Sequence, residues 1–144
     1  MIYENNMEEK MGNNMTKGYW YVATIYTVDT NELTEYEREL VLENRFDKSS
    51  RAAGWLMNNE IVPFSPIAHC HPIAQRCDLP KTWDWWEMID RTYLESSEGL
   101  IVVCDLGWEW SVGVQAEIKI AKELNLPIRY LLPTENPNIY KWKE

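Results

Sequence analysis

The sequence has 144 residues, of which 45% are hydrophobic and 26% charged, and its formal net charge is −9 at pH 7. This length is typical of one domain, and no apolar run approaches the roughly 20 residues that span a membrane. An acidic chain is a poor partner for a nucleic-acid backbone, which is bound by clustered Lys and Arg side chains. We therefore expect a small-molecule ligand, no nucleic acid and no membrane.

The cysteines and the N-terminus indicate a cytoplasmic protein. Cys70, Cys77 and Cys104 form an odd set without the CxxC spacing of a structural zinc site, which favours free thiols. The first residues contain no apolar segment of the kind that a secretory signal carries.

The N-terminal part of the chain predicts a leader, a strand and a helix. Residues 1–17 are polar and without period, which indicates a flexible leader. The aromatic and β-branched run over 19–26 predicts the first strand. Thr34 and Glu37 then fit a capping box, which begins a long helix that ends near Asn58.

The middle of the chain is less regular. An irregular or edge strand is predicted over 61–67, because Pro63 and Pro66 interrupt its hydrogen bonding. Residues 68–81 have no convincing period and are interpreted as a loop. Thr82 begins a second helix, in which apolar side chains recur at steps of three and four residues.

The last third of the chain carries the clearest pattern. Residues 100–104 are continuously apolar, which predicts a strand that is covered on both faces. Ser111 begins a helix, and 127–133 forms the last strand. These elements define a domain over 18–133 and a C-terminal tail over 134–144, whose apolar residues are able to dock on the body or on another subunit.

Strands that alternate with helices predict an α/β fold, in which a parallel sheet carries helices on both faces. We expect a three-layer, flavodoxin-like arrangement. Such sheets bind ligands beyond the carboxyl ends of their strands. That edge gathers Tyr26 and Thr27, the His69 region, residues 105–110 and the helix that bears Glu117.

Glu117 is a charged residue on an apolar helix stripe. It follows Val114 by three residues and precedes Ala121 by four, so it faces inward with them. The free N–H groups and the dipole of a helix N-terminus favour negative charge, which predicts an ionised carboxylate that is suited to be a nucleophile. The alternative is a partly exposed glutamate that pairs with a basic neighbour, namely Lys119, Lys122 or Arg129.

Asp90 is the natural second carboxyl group. It lies four residues after Trp86 and four before Leu94, at the edge of another apolar stripe. Two carboxyl groups with separated pKa values can divide the roles of nucleophile and general acid in cleaving a glycosidic bond. The alternative is a surface aspartate that bonds to Arg91 or Lys81.

Four further residues are candidates for binding a ligand. Ser111 and Gly113 stand at the start of a helix, where a phosphate or a sugar hydroxyl group could be seated. Trp108 and Trp110 could stack on a base, or else pack in a lid or an interface.

No metal and no cofactor are expected. His69 and His71 have no clear third ligand, and Pro72 disrupts the local strand. The glycine-rich phosphate loops of the GxxxxGK[ST] and GxGxxG types are absent from the sequence.

Four segments between residues 19 and 132 carry a wider resemblance: YWYVATIYT, FSPIAHCHP, LPKTWDWWEMIDRTYL and WEWSVGVQAEIKIAKELNLPIRYL. They resemble the DUF1937 family, which is common in phages and bacteria. That family is similar in turn to the superfamily of nucleoside 2-deoxyribosyltransferases and deoxynucleoside 5′-monophosphate N-glycosidases. The link consists of Asp90 and Glu98 before the buried strand and of S-x-G-V-x-x-E after it, here Ser111, Gly113, Val114 and Glu117.

The resemblance implies roles for individual residues. Glu117 would attack the anomeric carbon and form a glycosyl-enzyme that water or a second base resolves. Asp90 would position the sugar or help to protonate the leaving base. Ser111 would help to hold a 5′ phosphate, and Tyr26 would lie in the pocket. Relatives that complete their sites across a subunit interface imply a homo-oligomer, a dimer or larger.

We therefore expect an N-glycosidase or N-deoxyribosyltransferase that acts on a nucleoside or nucleotide. The acidic loop over 27–31 stands where the monophosphate hydrolases carry a Gly- and Arg-rich loop, so the need for a 5′ phosphate stays open. The competing hypothesis is a non-catalytic module, for example a phage protein, that sequesters a nucleotide derivative in the same pocket. A third is an interaction protein whose tryptophans form an oligomer interface.

Overall fold

The structure is a computed structural model that describes residues 18–28, 30–80 and 82–144, so the leader predicted over 1–17 lies outside it. Within these ranges the chain forms an α/β fold of five strands and four helices, which confirms the predicted class. The strands are β1 (Trp20–Ala23), β2 (Pro63–Phe64), β3 (Gly99–Val103), β4 (Ile128–Pro133) and β5 (Tyr140–Trp142). The helices are α1 (Glu35–Asn58), α2 (Pro66–Cys77), α3 (Trp83–Glu95) and α4 (Val112–Glu123).

The strands form one sheet in the order β2-β1-β3-β4-β5. The first four are mutually parallel, with Tyr21 of β1 opposite Leu100 of β3. The chain leaves β1 for β2 on one side and returns as β3 on the other, so the strand order reverses beside β1. Polar groups beyond the carboxyl end of β1 are therefore free to line a crevice.

The C-terminal tail adds a strand to the sheet. Tyr140–Trp142 forms β5, which pairs antiparallel with β4, and Trp142 lies opposite Leu131. The Arg129 guanidinium lies 3.5 Å from the centroid of the Trp142 ring, which adds a cation–π contact. A three-residue strand is too short to show an alternating pattern, so the sequence alone does not reveal it.

Two apolar clusters lie on opposite faces of the sheet, because successive strand residues point to opposite sides. Tyr21 and Leu100 belong to the cluster that includes residues of α3 and α4. Val22 and Ile101 belong to the cluster that includes residues of α1. All five residues of β3 are buried, as its continuously apolar sequence predicts.

Residues 68–81 differ most from the sequence prediction, which is a loop. Most of this segment is helix α2. Ser65 caps it by accepting a hydrogen bond from the Ala68 N–H over 3.2 Å, and Pro66 occupies the first turn, where a missing N–H costs nothing. Pro72 lies inside the helix and removes one internal hydrogen bond, which is why the segment does not read as helical.

The strand predicted over 61–67 is correspondingly short. Only Pro63–Phe64 pairs with β1, at the edge of the sheet. The capping signal of Ser65 and Pro66 therefore marks a helix start and not the end of a strand. None of the helices in the described part of the chain is long and apolar enough to cross a bilayer.

The close approach of β1 and β3 makes a test of the fold. A Cβ atom added at Gly99 would lie 2.7 Å from the carbonyl oxygen of Pro127 and still closer to the Trp20 ring, whereas a Cβ at Gly54 in α1 meets nothing. Gly99→Ala should therefore lower the free energy of unfolding by roughly 2 kcal/mol or more. Gly54→Ala should raise it by about 0.5–1 kcal/mol. Urea unfolding of both variants measures this, and an unchanged midpoint for Gly99→Ala contradicts the packing described.

Candidate functional site

A pocket with about 650 Å³ of empty volume, including its open mouth, lies beyond the carboxyl end of β1. Its walls come from the segment that follows β1, from α2 and α3, and from the first half of α4. The pocket lies where the strand order reverses, which is the predicted edge of the sheet.

Glu117 and Asp90 both line this pocket. Glu117 of α4 is 6% exposed and lies on the inward stripe with Val114 and Ile118. Asp90 of α3 is 8% exposed and precedes the fully buried Leu94 by one helical turn. Two helices thus direct one carboxyl group each into the same apolar surroundings.

Burial controls the ionisation of both groups. It raises the pKa of Asp90 from 3.8 to about 7. It also raises the pKa of Glu117 well above its usual value, and the negative charge of Asp90 raises it further. Burial therefore opposes the expected ionisation of Glu117 in the free protein. The helix dipole is effective within the first turn of α4, and Glu117 lies beyond that turn. The loss of hydration therefore dominates the pKa of Glu117.

Tyr21 of β1 stands beside the two carboxyl groups. It is fully buried, and both carboxyl groups raise the pKa of its phenol, after burial itself. Its hydroxyl lowers the pKa of both carboxyl groups in return, yet it makes no hydrogen bond of normal geometry within the described residues. The Oδ1 atom of Asp90 is also buried without a partner there. These buried polar atoms need hydrogen-bond partners that the described residues do not supply, such as water or a ligand.

Among the described residues, the basic side chains suggested as partners of these two carboxyl groups do not pair with them. Arg91 pairs with Glu87 over 3.4 Å, and Arg129 lies on Trp142. Lys119 and Lys122 are exposed on α4, and Lys81 lies outside the described residues. Across the residues that are described, no salt bridge reaches Asp90 or Glu117. The interpretation of either group as half of a surface ion pair thus receives no support.

The other predicted residues fall into two groups. Tyr26, Thr27, Ser111 and Gly113 line the pocket together with the two carboxyl groups. Ser111 caps α4 by accepting a hydrogen bond from the Val114 N–H over 3.3 Å. The start of α4 is therefore open to the pocket.

Trp108 and Trp110 are not brought into the pocket. They form a 3₁₀ turn before α4. Trp108 packs against Tyr130, with 5.7 Å between ring centroids. Trp110 is 83% exposed and lines a second, shallower groove that shares Thr27 and Ser111 with the pocket.

Two tryptophans of α3 line the pocket in their place. Trp83 and Trp86 precede Asp90 by seven and four residues, so all three share one helix face. In the sequence, the spacing of Trp86 and Leu94 around Asp90 indicates an apolar stripe and does not show that it faces a pocket.

Helix α2 supplies pocket residues that the loop interpretation missed. Cys70, His71 and Ala74 all line the wall. His71 is buried between Tyr26 and Glu43, whereas His69 is exposed and lies near Phe64. In the described ranges, no three His, Cys, Asp or Glu residues are grouped as a metal site. The Ser65-Pro66 helix start was the signal that could have placed these residues.

Helix α1 fixes the segment that follows β1. The Thr24 and Ser49 hydroxyl oxygens are 2.6 Å apart. Arg45 donates to the Tyr26 carbonyl oxygen over 2.8 Å and also to that of Thr27. The loop over 27–31 has no arginine of its own, yet an arginine from α1 holds its backbone.

Residues 18–131 match the family profile that is described as a domain of unknown function, DUF1937. The chain belongs to the DUF1937 family. The matched region contains every pocket residue named above, and β5 lies beyond it. A comparison with curated proteins finds no match.

The raised pKa of Asp90 makes the stability of this DUF1937 protein depend on pH. Between its unfolded pKa of 3.8 and its folded pKa of about 7, the folded state binds more protons than the unfolded state, so the free energy of unfolding falls as pH rises. Asp90→Asn removes this loss. The variant should match the wild type near pH 4 and exceed it at pH 8 by roughly 4 kcal/mol, at about 1.4 kcal/mol per pKa unit.

Urea unfolding at several pH values checks this. Glu95→Gln, on the exposed end of α3, is the matched control and should follow the wild-type curve. A parallel pH dependence for Asp90→Asn and the wild type would show that Asp90 ionises normally.

Proposed function

We propose that the protein is an N-glycosidase or N-deoxyribosyltransferase that acts on a nucleoside or nucleotide through a covalent intermediate on Glu117. One observation carries the proposal: two buried carboxyl groups, without a basic partner among the described residues, share a pocket at the sheet edge. Such a pair costs stability, and perturbed carboxyl groups in a cleft are typical of catalytic sites.

The chemistry assigns one role to each carboxyl group. A carboxylate oxygen of Glu117 forms a bond to the anomeric carbon of the sugar as the bond from that carbon to the base breaks. The electron pair of the broken bond goes to the base nitrogen, and the proton of Asp90 neutralises it there. Water or a second base then attacks the anomeric carbon and releases Glu117, and the proton of the attacking group returns to Asp90.

The raised pKa values supply the proton that this division needs. Two neighbouring buried carboxyl groups do not both ionise readily, so the pair holds a proton at neutral pH, and in the free protein the charge of Asp90 favours that proton on Glu117. The reactive arrangement has the proton on Asp90 and an ionised Glu117 beside the Tyr21 hydroxyl, so the mechanism requires the proton to move from Glu117 to Asp90 when the substrate binds. The proton that the leaving base requires is thus present before the substrate binds.

The proposal extends to the fold and the family. We assign the chain to the three-layer, flavodoxin-like fold and to the nucleoside 2-deoxyribosyltransferase superfamily. Support comes from the two apolar clusters on opposite sheet faces and from the carboxyl pair at the predicted sheet edge. Trp83 and Trp86 offer indole faces on which a base could stack.

A cytoplasmic homo-oligomer is the accompanying proposal. The exposed apolar side chains of Leu106 and Trp110 line the second groove, which shares Thr27 and Ser111 with the pocket, and the exposed Val112 follows Ser111 in the chain. Exposed apolar residues that lie close together are typical of subunit interfaces.

Base release tests the proposal directly. The wild type is incubated with deoxynucleosides and their 5′-monophosphates, and free base is followed by chromatography. Glu117→Gln should lower the rate at least about 10³-fold, because an amide is a poor nucleophile. Denaturation during turnover should trap a sugar on Glu117 that mass spectrometry detects.

Glu123→Gln, on the exposed end of α4, should keep the wild-type rate. No base from any substrate, or base release that survives Glu117→Gln, refutes the glycosyl-transfer mechanism.

A second candidate is a non-catalytic module that binds a nucleotide derivative. The raised pKa of Glu117 favours it, because a neutral carboxyl group binds by hydrogen bonding alone. This function predicts that a nucleoside or nucleotide raises the melting temperature without turnover, and that the rise survives Glu117→Gln. A thermal-shift screen combined with the chromatographic assay separates the two candidates.

A further inference from the structure

A second polar group of the pocket stands apart from the carboxyl pair. His71 is only 3% exposed, and both of its ring nitrogens have protein partners. Its Nδ1 is 2.6 Å from the Tyr26 hydroxyl oxygen, and its Nε2 is 3.1 Å from Oε2 of Glu43. Phe46 stacks on the imidazole with 4.6 Å between centroids. The ring is therefore fixed in both position and rotation.

The partners of His71 determine which nitrogen carries hydrogen. A carboxylate only accepts hydrogen bonds, so Nε2 donates to Glu43. A neutral imidazole has a single N–H, so Nδ1 accepts, and the Tyr26 hydroxyl donates to it. Burial, with the charges of Glu39 and Glu43, raises the pKa of Tyr26 to about 12, so this hydroxyl keeps its hydrogen at neutral pH.

We propose that Glu43 and His71 are positioning residues that make the Tyr26 oxygen a hydrogen-bond acceptor in the pocket, where it binds a hydroxyl group of the nucleoside sugar. The only hydroxyl hydrogen of Tyr26 is directed at Nδ1, so its lone pairs alone remain for a ligand. A sugar hydroxyl donates to them, whereas an analogue without that hydroxyl leaves them unpaired. The inference rests on the proposed function, because it assumes a nucleoside in the pocket.

The arrangement runs from the protein surface to the pocket. The Glu43 side chain is 60% exposed, whereas His71 and Tyr26 line the pocket. Arg45 anchors the Tyr26 backbone through its carbonyl oxygen. Tyr26 is thus held at its backbone and at its hydroxyl, which reduces the entropy lost when a ligand binds.

The first experiment determines the tautomer without any ligand. Protein labelled with ¹⁵N in its two histidines, His69 and His71, is studied by long-range ¹H–¹⁵N NMR at pH 7.5. His71 should show a protonated Nε2 and an unprotonated Nδ1, and Tyr26→Phe should shift the Nδ1 resonance. His69→Gln removes the other histidine and assigns the signals. A protonated Nδ1, alone or in an imidazolium, overturns the proposed orientation.

The second experiment measures selectivity. In a Glu117→Gln background that prevents turnover, calorimetry compares four 2′-deoxynucleosides with their analogues that lack the 3′ or the 5′ hydroxyl group. Loss of one hydroxyl should weaken binding about tenfold, as expected for one unpaired hydrogen bond. Adding Tyr26→Phe should abolish that difference.

The variants of Glu43 separate orientation from packing. Glu43→Gln keeps an oxygen that accepts from Nε2, so it should preserve the tenfold difference. The methionine side chain of Glu43→Met is similar in size to glutamate but does not accept a hydrogen bond from Nε2, so this variant should reduce the tenfold difference in binding. Circular dichroism should show that it stays folded. Equal selectivity in the Gln and Met variants, or selectivity that survives Tyr26→Phe, overturns the inference.

Failure of the proposed function gives a distinct result. If neither the nucleosides nor their 5′-monophosphates bind, the proposed function is refuted together with the sugar contact, and the nitrogen spectrum alone decides the orientation of Tyr26. If nucleosides bind and release base but no hydroxyl is distinguished, only the present inference fails.

Discussion

Asp90 and Glu117 leave water together when α3 and α4 pack on the sheet, and this shared desolvation sets the properties of the pocket. Leu94 follows Asp90 by one helical turn, and Val114 precedes Glu117 by three residues; both are fully buried. The helices therefore cannot bury these core residues without burying the carboxyl groups too. The apolar packing that stabilises the fold is also what raises the two pKa values, so burial of the core and ionisation of the two carboxyl groups oppose each other at this site.

The position of Tyr21 follows from the same packing. Its aromatic ring packs in the same apolar cluster as Leu100 of β3, Leu94 of α3 and Val114 of α4. The ring therefore belongs to the core, while the hydroxyl lies near the two carboxyl groups. A phenylalanine would fill the ring position without the polar atom. A buried hydroxyl that lacks a hydrogen bond of normal geometry costs free energy, so retaining a tyrosine here requires a partner for that hydroxyl, such as water or one of the two carboxyl groups in its ionised form.

The spacing of apolar residues along the chain indicates which side chains are buried, so the elements with a clear spacing can be predicted from the sequence. The apolar run of β3, the inward position of Glu117 and the place of Asp90 on α3 follow from side-chain spacing. Spacing does not report the environment that other elements create. The helix dipole suggested an ionised Glu117, because the desolvation by α3 and β1 cannot be seen from α4 alone. Pro72 is atypical of a helix interior, so the sequence does not predict α2, and without α2 it does not predict that His71 lines the pocket. The sequence suggests Trp108 and Trp110 for the pocket, whereas Trp83 and Trp86 line it, because only the tertiary structure decides which aromatic residues face a pocket.

The pocket depends on helices from both faces of the sheet. Helix α1 packs through Ala52 and Leu56 on the face opposite to α3 and α4. Its N-terminal half extends past the end of β1, where Glu43 and Phe46 hold His71 of α2. The carboxyl groups of α3 and α4 line the pocket together with His71 of α2 and with Tyr26, which follows β1. Helix α1 contacts this wall through His71 and through the Tyr26 backbone. In an open α/β sheet, elements from both faces come together beyond the strand ends at the place where the strand order reverses, so both faces contribute to one pocket.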